Sequence, residues 1–296
     1  MTSHRPPFVS LRLAGSIFAV GLALVAAFAL PGAGSTNLIH TEASSFSPIV
    51  VFEQGDERCM NFDSVHAPGR QSCIDLQAPD KLVFDYTRTM MTALFVKPDP
   101  SSVLIVGLGG GTLSRALGKA LPEAVIDTVE IDPAVAKVAQ RFFGYKQGPR
   151  QRLFLEDGRA FIERVHREGR HYDVVMLDAF DVDYIPAHLL TREFLQHVRA
   201  ILTPNGVLVA NTFSRSAVYA QESATYADVF GDFFNLRDGN RVIIATRGTL
   251  PDTATLQDNA HAVASKLKPF GINIKNQLHM FSTVRDWDEN APVLTD

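Results

Sequence analysis

Four acids and one glycine-rich run are the residues of this chain best suited to chemistry. Gly107-Leu108-Gly109-Gly110-Gly111-Thr112 directly follows the apolar run Val103-Leu104-Ile105-Val106. Glycines accept positive φ and let a ligand come close to the backbone, and a helix starting after them presents free N–H groups. Gly107, Gly109 and Gly111 are therefore candidate cofactor-binding residues. The spacing is G-x-G-x-G; the dinucleotide fingerprint G-x-G-x-x-G is not met because residue 112 is Thr. A tight turn with no ligand has the same composition.

Glu130 stands in Val129-Glu130-Ile131-Asp132-Pro133, nineteen residues beyond Gly111. An acid at that distance can accept hydrogen bonds from both hydroxyls of a ribose. Helix capping is the competing role, and Asp132, just before Pro133, suits it better. Asp157, with Gly158 beside it, offers a carboxylate to an adenine amino group, although Asp-Gly is also an ordinary turn. Asp178 and Asp181, in Asp178-Ala179-Phe180-Asp181, are placed to face an amine, and one of them can take its proton. The alternative for Asp181 is a solvated loop acid.

The elements that must hold these residues are legible from apolar periodicity. Short strands are expected at 48–53, 58–62 and 71–75, and helical spacing runs from Leu82 to Leu94 before the stiff connector Lys97-Pro98-Asp99-Pro100. From Ser101 strands and helices alternate. The strands fall at 103–106, 125–130, 153–155, 174–177 and 207–210, and a final hairpin turns at Asp238-Gly239. This is an α/β chain with a seven-stranded Rossmann-like sheet of the nucleoside-methyltransferase type, preceded by a small β-strand region. Glu130, Asp157 and the pair Asp178 and Asp181 then end or follow three successive strands, so the four acids and the glycine run meet at one edge of the sheet and point to a nucleoside site. The expected organisation is 1–34 as signal peptide or membrane anchor, 35–98 as N-terminal strands and connecting helix, and 99–296 as the catalytic domain.

Composition narrows the function classes. The chain has 296 residues, 46% hydrophobic and 20% charged, enough to bury a core. A net charge of −4 gives no global field for nucleic acid, so no such partner is expected. The nine histidines show no helical ligand pairing, and no metal is expected. Leu13 to Leu30 holds 18 residues without a charge, after Arg5 and Arg12 and before Pro31-Gly32-Ala33-Gly34. These are the parts of an export signal or, uncleaved, of a single-span anchor. The globule is then exported or anchored in an inner membrane, outside the cytoplasm. Cys59 and Cys73 flank an apparent hairpin and are read either as a cross-strand disulfide, suited to that compartment, or as two buried thiols.

From about Pro48 to Ile244 the chain resembles the polyamine aminopropyltransferases, the spermidine synthase family. The resemblance is carried by 103–107, 129–133, Asp157-Gly158-Arg159-Ala160, Tyr172-Asp173-Val174-Val175, 178–181, Leu190-Thr191-Arg192-Glu193-Phe194 and 202–208. It implies that Glu130 holds ribose, Asp157 adenine, that Asp178 accepts a proton, and that Asp181 and Pro186 lie beside the amine. It implies decarboxylated S-adenosylmethionine as co-substrate, a diamine such as putrescine as acceptor and methylthioadenosine as by-product. Three positions depart from the family: Gly110 stands for an amine-gripping aspartate, Phe46-Ser47 for Tyr-Gln, and Tyr86-Thr87-Arg88 for Tyr-His-Glu. A methyltransferase using S-adenosylmethionine and a non-catalytic nucleoside- or polyamine-binding protein at the membrane are the alternatives. Expected partners are a small-molecule amine, the membrane through an uncleaved N-terminal segment, and a second copy in a homodimer.

Overall fold

Runs of β-branched and aromatic residues separated by short polar turns build the first sheet. In the computed structural model, which describes residues 36–67, 69–180 and 185–296, four antiparallel strands follow one another in order. They are β1 (Asn37–Glu42), β2 (Ile49–Gln54), β3 (Glu57–Phe62) and β4 (Ser72–Asp75). Alternate β2 residues serve opposite faces: Ile49 and Val51 pack with Val135 and Phe143, while Val50 and Phe52 pack with Cys59 and Cys73. Burial on both sides explains why β2 reads as a continuous apolar run. Cys59 lies directly opposite Cys73 in the register of β3 and β4, and the two form a disulfide. The expected strands are all present; β1, polar and largely exposed, carried no apolar signal.

The helical spacing from Leu82 to Leu94 predicts one helix, and the structure corrects it to two short ones, α1 (Asp85–Met90) and α2 (Ala93–Val96). The cause is local. The hydroxyls of Thr87, Thr89 and Thr92 donate back to the carbonyls of Phe84, Asp85 and Thr89, and the amide of Thr92 bonds Thr89 rather than continuing the α-helical ladder. Such back-bonding competes with helix propagation.

A seven-stranded sheet follows, made from β5 (Ser102–Val106), β6 (Val125–Glu130), β7 (Gln151–Leu155), β8 (Tyr172–Leu177), β9 (Leu202–Thr212), β10 (Phe234–Asp238) and β11 (Asn240–Thr246). Its order is β10-β11-β9-β8-β5-β6-β7, parallel except for β11, which runs against both neighbours. This is the Rossmann-like, methyltransferase-type fold. The helices α3 (Thr112–Ala120), α4 (Pro133–Phe142), α5 (Gly158–Arg167), α6 (Arg192–Ala200), α7 (Tyr219–Phe230), α8 (Thr253–Leu267) and α9 (Ile274–Leu278) complete it. Val103, Ile105 and Val174 of the sheet pack with Leu117 and Leu94 on one face; Leu104, Val175 and Leu208 pack with Phe161 and Phe194 on the other. The strand order reverses between β5 and β8, and that switch point is where ligands enter such sheets.

The N-terminal run at 13–30 and the site candidate Asp181 lie outside the described residues. Among the described residues no helix is long and apolar enough to cross a membrane.

The disulfide closes a sequence separation of 14 residues, which in the chain-entropy model stabilises by ~3 kcal/mol. A Cys59→Ser/Cys73→Ser variant should unfold at correspondingly lower urea concentration than the oxidised wild type. Adding reductant should move the wild type toward the variant and leave the variant unchanged. Equal midpoints for oxidised wild type and variant would contradict the stabilising role.

Candidate active site

Four neighbouring strand ends bring the sequence candidates to one rim. The amide of Gly107 donates to Val129 O (2.8 Å), that of Asp178 to Val106 O (2.8 Å) and that of Glu156 to Glu130 O (3.1 Å), so the ends of β5, β6, β7 and β8 are aligned by backbone bonds. Gly107 has φ +101°, and a Cβ there would run into the carbonyl of Asp178. Only glycine lets the loop after β5 pass that close to the end of β8. Gly109 and Gly111 share the positive φ, and Gly111 is the residue before α3.

Glu130 is buried at the end of β6. One carboxylate oxygen accepts from Leu108 N (3.0 Å) and the other from Asp132 N (2.9 Å). Its pKa is raised because burial penalises the charged form, against the opposing pull of those amides. Asp132, as its position before Pro133 suggested, caps α4 through Ala134 N (2.8 Å), and its second oxygen accepts from the Ser44 hydroxyl (2.6 Å). The chain after β1 therefore reaches the rim beside Glu130.

Asp157 stands at the start of α5, a capping position that the Asp-Gly reading did not include. It caps α5, accepting from Ala160 N at 2.9 Å, and its other oxygen is 3.1 Å from His188 Nε2, on a partly exposed surface. Gly158 has a packing reason: a Cβ would sit 2.5 Å from the Val106 side chain. Pro186 is half-buried and leads directly into a 3-10 turn at Ala187–Leu189.

Asp178 keeps a partial opening but is crowded by protein on most sides. Desolvation pushes its pKa up to about 6, against the hydrogen bond from Asn211 Nδ2 (3.0 Å). Asn211 in turn accepts from Asn240 Nδ2 at 3.0 Å, which orients its amide. The Tyr86 hydroxyl stays protonated well above its ordinary range, through burial first and the nearby Asp178 charge second. Asn211 and Asn240 were missed by sequence reasoning. Asn211 ends β9, beside β8, so the strand-end argument that found the acids would have found it too.

Gly110 is closely hemmed in. A Cβ on Gly110 would lie 2.6 Å from Ser72 Oγ and 3.0 Å from the Phe143 ring. Ser72 of β4 and Phe143 after α4 thus crowd the position where any side chain would begin. Phe46 is 61% exposed. Beside Asp178 a small cavity of about 10 Å³ is lined by Val106, Ala179, Leu189, Asn211 and Tyr226. A much larger one, about 500 Å³ and bordered by Glu57, Asp75, Lys81, Arg88 and Asp238, contains none of the candidate residues.

Residues 83–236 match the family model described as the spermine/spermidine synthase domain. The chain is 42% identical to the polyamine aminopropyltransferase of Vibrio vulnificus, over 95% of this chain and 94% of that protein. Its fold is similar to a probable spermidine synthase from Corynebacterium glutamicum, with TM-score 0.64, 22% identity and coverage of 85% and 97%. It is also similar to human methyltransferase-like protein 13 in complex with SAH, with TM-score 0.57, 27% identity and coverage of 70% and 96%.

The raised Asp178 pKa makes a signed prediction. Well below pH 3.8 the group is protonated in both folded and unfolded chains and costs nothing. Well above pH 6 it is charged in both, and the folded state bears the desolvation. The stability of wild type minus that of Asp178→Asn should therefore fall as pH rises from about 3 to 7, by about 3 kcal/mol for a shift of this size. Urea unfolding of both proteins across that range measures it. A difference independent of pH would show that Asp178 ionises as it does in water.

Proposed function

The chain belongs to the spermine/spermidine synthase family, and from that premise we propose that it transfers the aminopropyl group of decarboxylated S-adenosylmethionine to a diamine such as putrescine. The observation that carries the proposal is the convergence of Glu130, Asp157 and Asp178 on three strand ends around one glycine loop. Glu130 and the loop receive the ribose, Asp157 the adenine amine, and Asp178 the attacking amine, with Pro186 beside it; the family resemblance assigns Asp181, outside the described residues, to the same amine.

The chemistry needs a base in that position. A diamine enters as an ammonium and has no lone pair to attack with until a proton leaves. Asp178 accepts that proton. The freed nitrogen attacks the propyl carbon bonded to the sulfonium, the new C–N bond forms, and the C–S bond breaks with its electron pair going to sulfur. Neutral methylthioadenosine leaves. A carboxylate near pKa 6 is a stronger base than an ordinary aspartate and is still ionised at neutral pH. Asn211 Nδ2 holds one of its oxygens, directing the group. Transfer should then rise with pH through the Asp178 titration near 6.

We further propose that residues 1 to about 34 export the globule or anchor it at an inner membrane, with residues 35–296 outside the cytoplasm. The uncharged 13–30 run after Arg5 and Arg12 and the Cys59–Cys73 disulfide support this. A C-terminal reporter active only outside the cytoplasm should give signal in the full-length fusion. A silent, soluble fusion would overturn the placement.

Asp178→Asn should bind methylthioadenosine as the wild type does and lose transfer to putrescine by ~10²–10⁴-fold, the usual worth of a general base. The assay compares decarboxylated with intact S-adenosylmethionine as donor. A wild type that moves only methyl groups, or an Asp178→Asn variant with full transfer activity, would overturn the assignment.

A further inference from the structure

His188 sits on the 3-10 turn Ala187–Leu189, outside any motif singled out in the sequence, yet its ring meets the carboxylate placed at the adenine end. Its Nε2 is 3.1 Å from Asp157 Oδ2, the oxygen not used to cap α5. The backbone of His188 is itself held. Arg159, two residues beyond Asp157, donates from Nη1 to His188 O (3.3 Å) and to Asp296 Oδ1 (2.7 Å), from Nη2 to Asp296 Oδ2, and from Nε to Glu163 (2.9 Å). Such a fork uses the planar guanidinium bidentately, the geometry with the least freedom to swing.

The far end of this chain of contacts is fixed as well. Leu294 accepts from Arg192 N (2.8 Å) and donates to Thr225 Oγ1 (2.9 Å), and Asp296 N donates to Glu193 (3.1 Å). Residues 294–296 thus lie strapped across α6 and α7 and deliver the Asp296 carboxylate to Arg159. The Arg159 contact holds the Asp296 carboxyl well below the usual carboxylate range. The connected path Asp296–Arg159–His188–Asp157 ties a remote strap to one oxygen of the donor site.

We propose that His188 is a positioning residue for the adenosyl donor, orienting Asp157 Oδ2 toward the adenine amine, and that the Arg159–Asp296 pair holds His188 in place. The inference rests on the proposed function for its donor and deepens it by adding a specificity-determining contact. One hydrogen-bonded orienting group is worth a few-fold to tenfold in binding. A carboxylate turned away from the ligand loses that factor for the nucleoside and leaves the attacking amine untouched. The effect therefore separates donor parameters from acceptor parameters.

The test uses the full chain and methylthioadenosine as the calorimetric probe, followed by transfer kinetics. His188→Ala should weaken methylthioadenosine binding and raise the donor KM by roughly 3–10-fold. The kcat and the putrescine KM should stay within about twofold. His188→Gln keeps an N–H of similar reach and should recover most of the loss. Asp296→Ala should raise the donor KM by roughly 2–5-fold, and adding it to His188→Ala should cost little more, since both act on one path. Unchanged methylthioadenosine affinity in His188→Ala, a failed Gln rescue, or an additive double variant would overturn the proposal. A wild type that binds methylthioadenosine but transfers nothing would overturn the proposed reaction instead, while the binding series still decides the role of His188.

Discussion

The buried Glu130 carboxylate, pinned between Leu108 N and Asp132 N, is the interaction on which the rest of the site depends. It joins the glycine loop after β5 to the start of α4 after β6, two segments that would otherwise be set only by their own turns. Burying a carboxylate is costly, and two amide donors are what makes it tolerable. A carboxylate offers about four acceptor positions. The two amides leave room for two more donors, the number a ribose brings with its hydroxyls. One side chain can therefore shape the loop and hold a ligand against it.

The N-terminal sheet presses on that loop from outside. Ser72 of β4 lies where a side chain on residue 110 would go, and Cys73 beside it is bonded to Cys59 on β3. A glycine at 110 and the close seat of this sheet go together. On the other side Gly107 lets the Asp178 carbonyl approach, which sets the end of β8 against the loop. Asp178 is crowded by this arrangement, and its raised pKa follows from the crowding. The proposed proton acceptor and the proposed nucleoside holder are in this way set by the same close packing at the β5–β8 switch point.

Much of this was legible in the residues. Val103 to Val106 and Val174 to Leu177 are dense apolar runs ended by a glycine and an acid, and Val125 to Glu130 mixes apolar and polar residues before its acid, so both the strands and their candidate ends could be read. Asp132-Pro133 carries its capping role on its face. What escaped is what tertiary contact decides. β1 has no apolar stripe and exists because β2 offers it an edge. The Leu82–Leu94 stripe hid three threonines whose hydroxyls break the helix. Asn211 and His188 have no motif of their own; they matter because β9 ends beside β8 and because the 3-10 turn after Pro186 lies over α5. The Ser72–Gly110 contact joins the first sheet to the loop after β5, and no local pattern encodes it.

The central claim is that Glu130 organises a nucleoside site at this rim, and titration of methylthioadenosine into wild type and Glu130→Ala by calorimetry tests it most directly. The account predicts saturable binding by the wild type and a loss of ~1–3 kcal/mol in the variant, roughly fivefold to 150-fold in affinity. Equal affinity in a folded Glu130→Ala protein would contradict it.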